Sequence, residues 1–183
     1  FNVYNLFLSL PYYQFVTNDC EDFFAKLENI SLPLGRLDKT QKENIYIDYA
    51  HSPKALESVC KYLQKKKKGK LIIVFGAGGE RDKGKRYLMG EIADKYCEKI
   101  YITSDNPRNE DPLQIANMIM NGIKRSDKIC IELDRSRAIK NAINDLREGD
   151  IVLIAGKGHE NKQIIGNECL DFSDYEEVKK CIV

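Results

Sequence analysis

Leu71-Ile72-Ile73-Val74-Phe75-Gly76-Ala77-Gly78-Gly79-Glu80-Arg81-Asp82-Lys83-Gly84-Lys85-Arg86 is the stretch that decides the fold. Five apolar residues stand in a row, three of them β-branched, and glycine ends the run. A run this short and this apolar reads as a strand buried on both faces, the kind found in parallel sheets. The same unit recurs on either side. Upstream, Ile45–Asp48 is an apolar run followed by Ser52-Pro53, an N-cap and a first-turn proline. Leu56, Val59, Cys60 and Leu63 then continue at helical spacing. Downstream, Leu88, Ile92, Ala93 and Tyr96 mark a helix, Ile100–Thr103 a strand, and Ile115, Met118, Ile119 and Ile123 a further helix. Ile129–Leu133 and Ile151–Ala155 complete the strands, separated by a helix on Ala138, Ile139, Ala142, Ile143 and Leu146. Alternation of this kind predicts an α/β domain, a Rossmann-like, mostly parallel sheet with helices on both faces.

After Ala155 the rhythm changes. Gln163–Ile165, the turn Gly166-Asn167 and Cys169–Phe172 predict a hairpin-like ending, and Ser173 with Glu176 a capping box for a last helix. Residues 1–33 stand apart. Leu6, Phe7 and Leu10 suggest one helical fragment and Phe23, Phe24 and Leu27 another, while Pro33, Gly35 and the polar stretch Asp38–Glu43 read as linker and turn. A domain boundary is expected near Leu34, giving units 1–33 and 34–183.

Composition removes several function classes. The 29 Lys and Arg residues nearly cancel the 28 Asp and Glu residues, so no basic field points to nucleic acid. The basic run Lys65–Lys68 with Lys70 suits a helix C-terminus. Six cysteines without a C-x-x-C pair argue against a zinc site or a disulfide framework and fit a reducing compartment. No apolar stretch approaches the ~20 residues of a membrane span, and no signal peptide is visible, so a cytoplasmic protein is expected. The chain opens on Phe1 without Met, which suggests a piece of a longer protein.

In an open parallel sheet, ligands bind beyond the carboxyl ends of the strands, and four loops leave those ends. Asp48-Tyr49-Ala50-His51 offers a carboxylate suited to sugar hydroxyls and a histidine suited to a phosphate or base, or simply an N-cap with a surface histidine. Gly79–Lys85 fits G-x-x-x-x-G-K, but Arg86 stands where a P-loop needs Ser or Thr for magnesium. A glycine-rich turn that exposes amides and presents Arg81 to an anion is the better reading. In Ser104-Asp105-Asn106-Pro107-Arg108, Pro107 keeps Asn106 out of the helical region. There Asn106 can donate and accept, and Arg108 can grip a carboxylate with two bonds. An ordinary Asx-Pro turn is the bland alternative. Gly156-Lys157-Gly158-His159-Glu160 lets a ligand approach the backbone and offers Glu160 to an ammonium group. Both histidines, His51 and His159, lie in these loops. Two carboxylate grips, one ammonium partner and a polar arbiter suit an amino acid, and one with a second carboxylate would use both arginines. Gly76 and Gly78 lack the third glycine of a dinucleotide-binding turn.

Read in order, these loops resemble the C-terminal domain of the Mur ligase family. The stretches that carry the resemblance are Leu34-Gly35-Arg36, DYAHSP (48–53), GAGGERDKGKR (76–86) with Met89-Gly90, SDNPR (104–108), AGKGHE (155–160) with Gln163-Ile164, Gly166-Asn167, and Asp171–Asp174. Within the family the pattern is most similar to members that add the third residue of the peptidoglycan peptide. Leu34 stands where proline is common. Phe1-Asn2-Val3-Tyr4-Asn5 is similar to the closing part of the family's central ATPase domain, so residues 1–33 would be a remnant of that domain. The resemblance implies an ATP- and Mg2+-dependent ligase in peptidoglycan and cell-wall synthesis. ATP phosphorylates the carboxylate of UDP-MurNAc-L-Ala-D-Glu, and the amine of the incoming amino acid attacks the acyl phosphate. It implies that Arg81, Asn106, Pro107, Arg108, Gly156 and Glu160 hold the amino acid. Asn5, Arg36, Asp48 and His51 would face the nucleotide, Arg36 at phosphate and Asp48 at ribose. D-N-P-R goes with meso-diaminopimelate in this family, which makes Arg108 the partner of the distal carboxylate that lysine lacks. The P-loop, the modified lysine, the magnesium ligands and the UDP-binding domain are not in these residues. ATP and Mg2+ would therefore be bound mainly by the central domain, no catalytic residue is expected here, and the piece alone would not ligate. A monomer in the bacterial cytoplasm is expected. The alternatives are a related ligase for L-lysine or lanthionine and a stand-alone nucleotide- or amino-acid-binding module.

Overall fold

The computed structural model describes residues 10–16 and 34–182. The chain divides into two compact units, Phe1–Pro33 and Leu34–Val183. In the first, residues 10–16 are helical; Asn5, Leu6, Phe7, Phe23, Phe24 and Leu27 lie outside the described residues.

The second unit runs β1 (Asp38–Lys39), β2 (Ile45–Asp48), α1 (Pro53–Lys66), β3 (Leu71–Phe75), α2 (Gly84–Tyr96), β4 (Lys99–Ile102) and α3 (Pro112–Met120). It continues with β5 (Ile129–Ile131), α4 (Arg135–Asn144), β6 (Ile151–Ala155), β7 (Lys162–Ile165), β8 (Glu168–Asp171) and α5 (Asp174–Lys180). Six strands form one sheet in the order β1-β2-β6-β3-β4-β5. All neighbours are parallel except β1, which pairs antiparallel with β2. The expected strands and helices are present. The stretch read as linker, Asp38–Glu43, contains one more, the edge strand β1. Its two residues are too few for period-2 patterning to show.

Strand periodicity sorts the core into two layers. Leu71, Ile73 and Phe75 of β3 face one side with Leu153 of β6 and Ile100 of β4, where α1, α2 and α3 supply Leu56, Cys60, Met89 and Ile115. Ile72 and Val74 face the other side with Ile45, Ile47, Val152 and Ile154, covered by Ala138, Ile139, Ala142 and Ile143 of α4 and Val178 of α5. Successive side chains of a strand point to opposite faces, so an apolar run is needed wherever both faces are covered. Each large aliphatic side chain so buried contributes ~1.5–3 kcal/mol.

Helix ends follow local chemistry. Ser52 caps α1 by accepting from the Ala55 N–H, with Pro53 in the first turn. Asp111 and Asp134 cap α3 and α4 through their carboxylates. The expected capping box at Ser173 does not form, since that side chain makes no capping bond. What holds the start of α5 is Asp174, whose two carboxylate oxygens accept from Arg135 Nε and Nη2 at 2.7 and 2.8 Å, both side chains fully buried. Arg135 also donates to Ala155 O at 3.0 Å. The pair thus clamps α4 and α5 to the carboxyl end of β6.

That end is the switch point of the sheet. β6 lies between β2 and β3. The chain leaves β2 and β3 toward helices on one face and β6 toward α5 on the other, so a crevice opens where the loops part. Removing one member of the clamp beneath it leaves the other charge buried and unpaired. Asp174→Ala is expected to cost ~3–5 kcal/mol in urea unfolding, whereas Arg135→Met combined with Asp174→Leu should cost much less. A single-variant loss no larger than that of the double variant would show that the pair is dispensable.

Candidate functional site

The crevice holds a polar cavity of about 360 Å³ lined by Tyr49 and His51 after β2, Gly78, Arg81, Asp82 and Lys85 after β3, Asp105, Asn106 and Arg108 after β4, and Gly156 and Glu160 after β6. Of the expected amino-acid-binding residues, Arg81, Asn106, Arg108, Gly156 and Glu160 meet here. Pro107 does not line the cavity. It is buried behind it, with its carbonyl packed on Gly79, where an added Cβ would lie 1.8 Å from Pro107 O. Only glycine permits the β3 and β4 loops to approach so closely.

Asn106 ties the loops together. Its backbone oxygen accepts from Gly79 N–H at 2.9 Å. Its side chain accepts from Lys157 Nζ at 3.0 Å and Ile164 N–H at 3.0 Å, and donates to Glu160 Oε2 at 3.0 Å. Gln163 Nε2 donates to Asp105 O at 2.9 Å. Arg108, at φ 52°, donates its N–H to Ile164 O at 3.1 Å and accepts from Gly166 N–H at 2.7 Å, so the β7–β8 hairpin braces the loop after β4. Arg108 Nη1 is held by Gly79 O at 2.8 Å and Asn106 O at 3.3 Å, which leaves the other guanidinium nitrogens for a ligand. Arg81 is exposed, and its guanidinium can turn toward the cavity it lines. Gly156, at φ 111°, would meet Asp105 Oδ2 at 2.6 Å with any side chain.

The glycine-rich turn does not simply expose its amides. Gly79 N–H is spent on Asn106, and the turn is held from inside by Arg86. This residue is fully buried and grips Glu110 with Nη1 to Oε2 at 2.8 Å and Nη2 to Oε1 at 3.0 Å, while Nη2 also donates to Gly78 O at 3.1 Å. The residue that breaks the P-loop pattern is therefore an interior brace. Its guanidinium and the Glu80 N–H hold the Glu110 carboxyl down at about 2.

A second group overlaps the cavity through Tyr49 and His51. Arg36 sits 5.5 Å from the Tyr49 ring centre, a cation–π distance,. His51 and His159 pack on the same ring at 4.6 and 5.3 Å. Burial, then Glu160 and Asp105, push the Tyr49 phenol up. Asp48, 3% exposed, accepts from Leu37 N–H and Ala50 N–H at 2.7 Å each. Burial raises its carboxyl, and those two amides and Arg36 oppose the rise. Gly35 N–H donates to Asp38 Oδ2 at 2.7 Å and Tyr175 Oη at 2.9 Å, fixing the turn that carries Arg36. Sequence reasoning assigned no role to Lys157, Arg86, Arg135 or Asp174. Lys157 alone carried a signal, a cation between two glycines at a strand end. Among the described residues no group of three or more His, Cys, Asp and Glu side chains could hold a metal ion, and no helix is long and apolar enough to cross a membrane.

Residues 35–158, more than half of the chain, match the family model described as Mur ligase, glutamate ligase domain. The chain belongs to the Mur ligase family. The UDP-N-acetylmuramoyl-L-alanyl-D-glutamate–2,6-diaminopimelate ligase of Rickettsia rickettsii is 47% identical over 177 residues, 96% of this chain and 36% of that protein. The enzyme of the same name from Aquifex aeolicus is 45% identical over 184 residues, 100% of this chain and 38% of that one. A solved structure of a ligase of that name superposes with a TM-score of 0.77 at 38% identity, covering 99% of this chain and 38% of that one. A Mycobacterium tuberculosis folylpolyglutamate synthase complexed with ADP and AMPPCP shares the fold at 19% identity and a TM-score of 0.59, covering 75% of this chain and 32% of that one. This Mur ligase chain thus spans less than two fifths of the length of the relatives it matches.

The Arg86–Glu110 brace has a pH signature. Glu110 falls from its ordinary 4.5 to about 2 in the folded chain. Its stabilisation is therefore fully present above 4.5 and is lost as pH drops through 2. The melting temperature of the native chain should exceed that of Glu110→Gln at pH 7, and the gap should narrow below 4.5. A gap that stays constant down to pH 2.5 would refute this.

Proposed function

We propose that this chain is the amino-acid-accepting part of an ATP-dependent ligase that adds meso-diaminopimelate to UDP-MurNAc-L-Ala-D-Glu in peptidoglycan synthesis. The observation that carries the reading is the order of charge across one cavity. Arg81 and Arg108 stand on the β3 and β4 loops, and Glu160 stands on the β6 loop. An amino acid presents both charges, and a second carboxylate gives both arginines a partner. The names of the relatives at 45–47% identity point to the same substrate.

In this reading Asn106, Arg108, Gly156 and Glu160 contact the amino acid directly, with Arg81 closing on a carboxylate and Pro107 stiffening the loop from behind. Arg36, exposed on its turn, meets phosphate, with His51 beside it. Asp48 meets ribose with the acceptor positions its two amide bonds leave over, since a carboxylate has about four. Asn5, outside the described residues, is a further nucleotide contact, and residues 1–33 close the central ATPase domain. ATP and Mg2+ are held mainly by residues outside this chain and supply the phosphoryl transfer that makes an acyl phosphate. The amine nitrogen then bonds to the acyl carbon, phosphate leaves with the C–O electron pair, and the nitrogen loses a proton. The chain's contribution is to orient the amine and exclude water, which is catalysis by proximity. The protein works as a monomer in the bacterial cytoplasm. L-Lysine lacks the distal carboxylate; lanthionine has it and would fit the same charges.

The test is a substrate panel with the full-length ligase. Meso-diaminopimelate should be preferred over L-lysine, and Arg108→Ala should erode that preference by roughly tenfold or more, the worth of one charged bidentate contact. An unchanged preference would sink the assignment of Arg108, and turnover with neither amino acid would sink the substrate class.

A further inference from the structure

Beneath the cavity floor a buried cation meets two of the groups proposed to touch the amino acid. Lys157 lies where the chain leaves β6, between Gly156 at φ 111° and Gly158 at φ 54°, and its side chain is 0% exposed. Nζ donates to Asn106 Oδ1 at 3.0 Å and to Glu160 Oε2 at 3.1 Å. Asn106 Oδ1 accepts a second bond from Ile164 N–H at 3.0 Å, and Asn106 Nδ2 donates to the same Glu160 Oε2 at 3.0 Å.

These bonds dictate which way round the Asn106 carboxamide lies. An ammonium can only donate, and so can a backbone N–H. Turning the amide by half a revolution would set its NH2 against both donors and withdraw the bond to Glu160. With Lys157 and Ile164 filling Oδ1, the amide can offer the cavity only its remaining N–H. Glu160 is fixed by the same chemistry. Its Oε2 is engaged twice, by Lys157 and Asn106, which leaves Oε1 to accept from a ligand. Among the groups proposed to touch the amino acid, Asn106, Arg81 and Arg108 therefore present donors and Glu160 an acceptor, with Asp82 and Asp105 adding carboxylates on the β3 and β4 loops. A neutral side chain of similar length at position 157 would fill the same space but remove one of the three bonds that oppose the turn and one of the two that hold Glu160 Oε2.

We propose that Lys157 is a positioning residue that sets the polarity of the amino-acid pocket, holding Asn106 as a donor to the ligand's carboxylate and Glu160 Oε1 as the acceptor for its ammonium group. The inference rests on the reading of this cavity as the amino-acid site. It changes the role of Asn106 from an arbiter able to donate or accept into a donor alone.

Two variants of the full-length ligase test it, with meso-diaminopimelate varied at saturating ATP and UDP-linked dipeptide. Lys157→Met removes the charge at similar length. KM for diaminopimelate should rise roughly tenfold or more, as expected when a charged hydrogen-bond network loses its centre, while KM for ATP stays at the wild-type value. Asn106→Asp keeps acceptors for Lys157 and Ile164 but replaces both Nδ2 hydrogens, the one toward the ligand and the one on Glu160 Oε2, by oxygen. It should raise the same KM and leave that for ATP alone. A merely structural lysine would lower the melting temperature and shift both KM values together or neither. That pattern in Lys157→Met, or a wild-type KM for diaminopimelate in Asn106→Asp, overturns the proposal. Should Lys157→Met not fold, Lys157→Gln, neutral and shorter, is read by the same two KM values. Lack of turnover with any diamino acid by the wild-type ligase removes the parent reading and this one with it. Normal wild-type turnover with unaltered variants removes only this one.

Discussion

The cavity depends on one residue whose carbonyl and side-chain amide are both engaged within the protein. Asn106 accepts from the loop after β3 through Gly79 N–H, from the loop after β6 through Lys157 Nζ, and from the hairpin through Ile164 N–H, and it donates to Glu160. Three segments distant in sequence are thereby set at bonding distance from a single residue. Hydrogen bonds of this kind contribute only ~0.5–1.5 kcal/mol each when made, but a buried group left without its partner costs ~1–3 kcal/mol. Losing one contact therefore leaves its partner unpaired at the cavity wall. A site built this way is positioned before a ligand arrives, and the ligand need not supply the ordering.

The scaffold makes such a hub possible because buried charges replace apolar packing at the strand ends. Arg135 with Asp174, Arg86 with Glu110, and Lys157 with Glu160 each place a cation that is 0% exposed against a carboxylate. Ion pairs at this depth add little net stability compared with aliphatic side chains of the same size. What they supply is direction. Arg86 fixes Gly78 O, Arg135 fixes Ala155 O, and Lys157 fixes Asn106 Oδ1. Aliphatic contacts hold the layers of the sheet and would tolerate small slides. These six groups stop the loops from sliding.

The fold was legible in the sequence because it is written in short-range pattern. Runs such as Ile151–Ala155 are apolar on both faces only when a parallel strand is covered twice, and helical spacing at Leu56, Val59, Cys60 and Leu63 needs no partner to be read. The cavity-lining groups Arg81, Asn106, Arg108, Gly156 and Glu160 were legible by place, since they follow strands. The braces were not. Arg86 and Arg135 sit among other charged residues on helices, where a buried arginine and a solvated one look alike. Their carboxylate partners lie 24 and 39 residues away. Asp174 shows the same limit, because its neighbour Ser173 satisfies the local rule for a cap while the real anchor is a contact that no local rule contains. Pro107, expected at the ligand as part of the loop motif, does not line the cavity, and its carbonyl packs on Gly79.

Backbone strain gives the last clue to what these contacts are for. Among the described residues, three non-glycine residues adopt the left-handed region, Leu37 at φ 57°, Glu80 at φ 56° and Arg108 at φ 52°. Each such residue costs on the order of 1–3 kcal/mol and persists only where its surroundings leave no alternative. Each is held here by named bonds: Leu37 N–H by Asp48, Glu80 N–H by Glu110, and Arg108 through both its amide and its carbonyl by the hairpin. All three lie in or beside the segments that bear arginines, Leu37 next to Arg36 and Glu80 next to Arg81, with Arg108 itself the third. A left-handed residue reverses the local course of the chain, and these reversals fall in loops whose arginines line the cavity (Arg81, Arg108) or meet the Tyr49 ring that also lines it (Arg36). The fold accepts strain at three corners and secures each with a specific hydrogen bond, and two of those corners carry arginines that line the cavity.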